Sequence, residues 1–222
     1  MEKNEKFLVS LLVITLIIGV FNQIQLFSMK SDSSIGISNP LSGVGNLPTG
    51  VSLVSASVIP SGVPKIYGKE LNVKYDDISP NDPQLANQKI AVLGNLDKTI
   101  TLSGDDLQRY IRIASQISCE YCCGAKSIIF STGQPACGCA HSYAMRGLAK
   151  YMITKHGKEV SDDEILSEMA KWKTLFFPGV MQSKADALKG KGIEFNYVNL
   201  GSNKYRGIEK GQSSSGGMVG GC

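Results

Sequence analysis

The chain has 222 residues, 42% of them hydrophobic and 19% charged, with a formal net charge of +4. That is enough apolar material to fill one core. The positive charge is small and scattered, forms no basic stripe, and so argues against a nucleic-acid partner.

The segment from Phe7 to Phe21 carries no charge. At about 1.5 Å of rise per residue it is short for a bilayer core of about 30 Å, but continuing it to Phe27 reaches a plausible single span. Residues 1–30 are therefore read as an N-terminal membrane anchor, a single-pass transmembrane helix. A cleaved secretory signal peptide competes with this. The usual small-residue cleavage pattern is missing, since no Ala occurs between Met1 and Ala56. Lys3 and Lys6 precede the span and Lys30 follows it, which favours a cytoplasmic N-terminus. The expected location is the cell membrane, with the C-terminal domain outside the cytoplasm. Residues 31–64, rich in Ser, Gly and Pro, read as a flexible tether, with strand character only over 51–59. Residues 65–200 read as a globular Cys-rich domain. Residues 201–222 read as a Gly/Ser-rich tail ending in Cys222.

Within the domain, alternating apolar residues predict strands over 65–75 and 90–102, separated by a loop over 76–83. Ser103 is a predicted N-cap, with Asp105 and Asp106 in the first turn. Leu107, Tyr110, Ile111, Ala114 and Ile117 then recur at helical spacing, predicting a helix that runs into Cys119. A short strand is expected over 127–130 and a turn over 132–135. A second helix is expected over 141–156, stopping at Gly157. Ser161 and Glu164 form a predicted capping box for a third, with Ile165, Met169, Trp172 and Phe176 on its apolar face and Pro178-Gly179 at its end. A fourth short helix over 181–188 and a final strand through Ile193, Phe195 and Tyr197 complete the reading. The expected fold class is α+β: a small helix-rich domain with a cysteine-bearing hairpin between two helices, tethered to an N-terminal transmembrane helix.

Reactive chemistry is concentrated in one place. Cys119, Cys122, Cys123, Cys137 and Cys139 are five of the six cysteines, and His141 follows them closely. If the first helix persists, Cys119, Cys122 and Cys123 share one of its faces. Cys137 and Cys139 fall just before the second helix, whose positive end favours thiolate at both. Cys122 and Cys123, at the preceding helix end, should be the less acidic pair. The hairpin would fold the two groups together, a common way to build a four-coordinate thiolate site. Thiolates in such a site suit zinc, copper(I) and iron–sulfur clusters. His141 extends the pattern to Cys-x-Cys-x-His and is a candidate ligand. Met145 and Met152 are assigned to the core, and His156 to a helix end. Cys222, after Val219, Gly220 and Gly221, is a candidate exchangeable ligand or resolving thiol.

The run from Gln134 to Ser142, containing Cys-Gly-Cys, resembles the bacterial PCYCGC-motif proteins, a family of exported, membrane-attached, Cys-rich proteins. Pro135 stands where the first cysteine of that motif would fall, and there is no lipobox cysteine near the anchor. The resemblance covers residues 119–177 at most. It implies an exported, metal-linked protein and carries over Cys137 and Cys139.

These features point to a membrane-anchored extracytoplasmic protein that binds a soft metal ion through its CxxCC and CxCxH segments. Its expected partners are the membrane, the ion, and a protein for metal or thiol exchange. Storage, transfer or sensing of the ion would be its activity rather than substrate turnover. No Ser/His/Asp set, phosphate-binding loop or motif-placed carboxylate pair is present, so no catalytic residue is assigned. The alternatives are a thiol-disulfide oxidoreductase acting on exported proteins, with Cys119 and Cys122 as the active pair, and a domain in which zinc or disulfides serve only as structural staples. Short loops argue against the staples. The missing βαβ context argues against a thioredoxin-like role.

Overall fold

The computed structural model describes residues 58–211 and 217–221. The proposed anchor and Cys222 lie outside the described residues, as does all of the tether up to residue 57. No described helix is long and apolar enough to cross a membrane.

Among the described residues, six α-helices follow in order: α1 (Pro83–Thr99), α2 (Gly104–Ala114), α3 (Ala140–His156), α4 (Asp162–Phe176), α5 (Pro178–Gly190) and α6 (Tyr197–Gly201). Single 3₁₀ turns occupy Tyr75–Asp77 and Asn203–Tyr205. The α+β expectation is thus corrected to a helical domain. Among the described residues, β pairing is confined to two isolated bridges, Ile117 with Ser202 and Ile129 with Pro135.

Each predicted strand fails for its own reason. Residues 90–99 belong to α1, because Ala86, Ile90, Leu93 and Asp97 are buried at helical spacing. The start signal lies in the stretch taken for a loop: Asp82 accepts from the Leu85 amide as N-cap and Pro83 occupies the first turn. Residues 65–75 fold back on themselves through Gly68 N–H to Pro64 O and Val73 N–H to Gly68 O, both 2.9 Å, leaving no ladder to a neighbour. Residues 127–130 reach one bridge only. Tyr197 opens α6, capped by Asn196.

The helices from Ser161 onward follow the local signals closely. Ser161 and Glu164 make the reciprocal capping box of α4. Phe177 closes α4, and Pro178 begins α5 at the position where a missing N–H is tolerated.

The tightest packing joins α1 to α3, where two glycines permit close approach. A Cβ on Gly147 would fall 2.0 Å from the Leu93 carbonyl oxygen, and one on Gly94 would fall 3.4 Å from Tyr143 Cβ. Between these helices lies a buried charge pair, Arg146 Nε to Asp97 Oδ2 at 2.7 Å, with Lys150 also on Asp97 at 2.7 Å. A second buried network has Tyr67 and Tyr75 both donating to the Glu168 carboxylate, and Trp172 Nε1 donating to Tyr67 Oη. This network pins the N-terminal turns onto α4. Met145 and Met152 are fully buried in the core.

Candidate metal centre

The helix expected to reach Cys119 ends at Ala114. A separate turn carries the first cysteine group. The amides of Cys122 and Cys123 both donate to the Cys119 carbonyl, at 3.3 and 3.2 Å. One turn at that spacing still brings the three side chains together. The chain then reverses through residues 128–136, where Phe130 N–H meets Gln134 O at 2.8 Å and Ala136 N–H meets Ile128 O at 3.0 Å. The reversal delivers Cys137 and Cys139 to the same point. Cys139 is the N-cap of α3, its sulfur accepting from the Ser142 amide at 3.4 Å.

The Cys119 and Cys139 sulfurs lie 3.3 Å apart, and those of Cys137 and Cys139 3.5 Å apart. With metal–sulfur bonds of about 2.3 Å, the sulfurs of a tetrahedral site stand about 3.8 Å apart, so this spacing needs only a slight expansion. Two sets of donors have all their ligand atoms within 4.8 Å of one another. One is Cys119, Cys122, Cys139 and His141; the other is Cys119, Cys123 and Cys137. Cys119, Cys137, Cys139 and His141 are buried and Cys123 is exposed. Cys119, Cys123, Cys137 and Cys139 are free thiols, whereas Cys122 is disulfide-bonded.

His141 is fixed by features that the sequence reading passed over. Its ring packs against Phe176 and Phe177, with centroids 4.6 and 5.2 Å away. Its Nε2 lies 2.8 Å from the Val219 carbonyl oxygen, which can only accept. Nε2 therefore carries the proton, and in the neutral ring Nδ1 keeps its lone pair. Nδ1 is buried with no hydrogen-bond partner. A metal-binding imidazole needs both features, an available lone pair and a carbonyl holding the other nitrogen. The strap that supplies the carbonyl is the C-terminal segment. Val219 N–H donates to Phe176 O at 2.9 Å, and Gly221 N–H donates to Asn87 Oδ1 at 3.1 Å. Gly220 between them has φ +84°, and a Cβ there would fall 2.4 Å from Ile90 Cδ1. Only glycine suits that position. The strap's sequence signal was slight: the apolar pair Met218-Val219 set between glycines.

The expected grouping of thiol acidities is corrected. Cys139 is driven toward thiolate, chiefly by a hydrogen bond from Cys119, with the Ser142 amide adding to it against the cost of burial. Cys119, as the donor in that bond and buried, is pushed up. Cys137 is also pushed up, by burial and then by its neighbour Cys123. The helix start favours the capping residue and not the one two positions earlier, because the field of the terminal amides fades within a turn.

Two charge clusters hold the cysteine segments. Arg146 Nη1 donates to the carbonyl oxygens of Cys137 (2.8 Å) and Ile128 (3.3 Å). Glu120 sits between Lys173 and Arg206, each 2.9 Å away, with Lys184 at 4.0 Å. Burial alone would raise the Glu120 carboxyl, but these cations hold it below the usual range. His156 pairs with Glu70 at 3.0 Å, remote in sequence from the cysteine motif and absent from both donor sets.

No protein-family model, curated protein or solved structure matches the chain significantly. The cluster geometry therefore carries the functional conclusion: these cysteines and His141 are able to hold a metal ion.

Proposed function

We propose that this protein is a membrane-anchored, extracytoplasmic carrier or sensor of a soft metal ion, zinc or copper(I) in the first instance. The observation that carries the reading is the convergence of sulfur donors on a buried imidazole whose Nδ1 has no partner while Nε2 is held by a carbonyl. Thiolates select soft ions, and imidazole suits zinc and copper. An iron–sulfur cluster would draw on the same sulfurs. The N-terminal apolar run and the resemblance to exported Cys-rich proteins support the placement outside the cytoplasm. Full-length protein purified anaerobically with reductant and subjected to elemental analysis should contain stoichiometric zinc or copper. Protein that holds no ion and takes none up on reconstitution would overturn the assignment.

A second reading rests on Cys122. Its disulfide sulfur lies within 4.8 Å of Cys139, whose thiolate character suits nucleophilic attack. Such an attack joins Cys139 to Cys122 and expels the former partner sulfur as thiolate. An insulin-reduction assay separates this exchange activity from simple ion binding.

A further inference from the structure

Five cysteines and one histidine converge here, six donors in all, whereas a structural zinc site uses four. The two donor sets share a single member, Cys119. They differ in surroundings: the set with Cys139 and His141 is buried apart from the half-buried Cys122, whereas the set with Cys137 ends at the exposed Cys123. They differ also in redox state. All three thiols of the outer set are free, but the inner set includes the disulfide-bonded Cys122. A sulfur in a disulfide is not a thiolate and does not bind an ion as one.

We propose that the cluster has two ion positions bridged by the Cys119 sulfur: an outer one of three thiolates, open in both redox forms, and an inner one that has its full four donors, and so binds tightly, only when the Cys122 disulfide is reduced. This rests on the metal-binding reading above and sets its stoichiometry and control. The outer position, with three thiolates and a solvent-facing edge at Cys123, suits three-coordinate copper(I), or zinc completed by water. The inner position offers three sulfurs and one nitrogen, a tetrahedral set for zinc. A shared thiolate with bonds of about 2.3 Å keeps the two ions no more than about 4.6 Å apart. An ion then passes from the exposed edge to the interior by exchanging ligands about Cys119. Reduction gives the disulfide two electrons and two protons and leaves two thiols. With a phosphine as reductant, the phosphine becomes its oxide and takes its oxygen from water.

The test is an anaerobic titration of the metal-free full-length chain with cobalt(II), followed by thiolate-to-cobalt charge-transfer and ligand-field absorption. The chain is compared before and after phosphine treatment. One equivalent is expected before reduction and two after it. Cys123→Ser, at an exposed position that leaves the core untouched, should remove one equivalent from each form. Non-reducing peptide mapping should show Cys122 cross-linked before treatment and free afterward. Equal stoichiometry in the two redox forms, or Cys123→Ser leaving both counts unchanged, overturns the proposal. A single equivalent after reduction removes the second position yet leaves the metal-binding reading intact. No cobalt bound in either form removes both.

Discussion

Residues 119–123 and residues 137–139 meet at one point but are fixed by opposite means. The first segment is held through a side chain of its own, the Glu120 carboxylate, drawn into cations from α4, α5 and the chain after α6. The second is held through its backbone, where the Cys137 carbonyl accepts from Arg146 on α3. The first arrangement gathers Lys173, Lys184 and Arg206 around Glu120, with Glu209 also acting on both lysines, so losing Glu120 removes the carboxylate that all three approach. The second is balanced by Asp97, which also holds Lys150, so its parts are partly redundant. Lys173 also acts electrostatically on Cys119, which suits a sulfur that becomes negative on binding an ion.

This contrast orders the expected effects. Glu120→Ala should be the most damaging, costing about 3–5 kcal/mol in denaturant unfolding because buried charges are left uncompensated. Arg146→Met keeps the volume and leaves Asp97 its lysine, and should cost less, about 2–3 kcal/mol. A result in which Arg146→Met is the worse of the two would reverse the comparison. Gly147→Ala should cost about 1–3 kcal/mol by forcing α1 and α3 apart, and would displace Arg146 with them. Gly220→Val should lift the strap from His141 and weaken metal affinity about 10–100-fold, with little change in the stability of the metal-free domain. The smallest effect is spectroscopic. In reduced, metal-free protein, ultraviolet thiolate absorbance from Cys139 should persist into mildly acidic solution and vanish in Cys139→Ser. The sign follows from its lowered folded value: this group's stabilisation is fully present above the ordinary thiol range and fades as the pH falls toward the lowered one.

How much of this was legible in sequence differs between the same regions. The segments after Cys137 carry strong local signals: the helix beginning at Asp162 starts where its capping box places it, and the one from Ala140 stops at the expected Gly157. The convergence of the cysteines was legible too, because a turn at 119–123 and a reversal at 128–136 need only short-range information. The strands were misjudged where a period-2 pattern overlapped a helical one, as in 90–99. There the deciding cue was Asp82-Pro83, lying outside the apolar run. Arg146, Glu120 and Val219 could not be assigned roles from the sequence. Their partners lie 49 residues away at Asp97, 53 at Lys173 and 78 at His141, and only the folded chain brings them together.

Cys139 caps α3 with sulfur where a hydroxyl or carboxylate oxygen is the usual choice. The same lone pairs would serve an arriving cation. Loading the centre therefore draws electron density away from the leading peptide groups of the helix that, two turns on, presents Arg146. Ion occupancy and the firmness of that helix's first turn are mechanically linked, and amide exchange at Ser142 and Tyr143 should report whether the centre is filled.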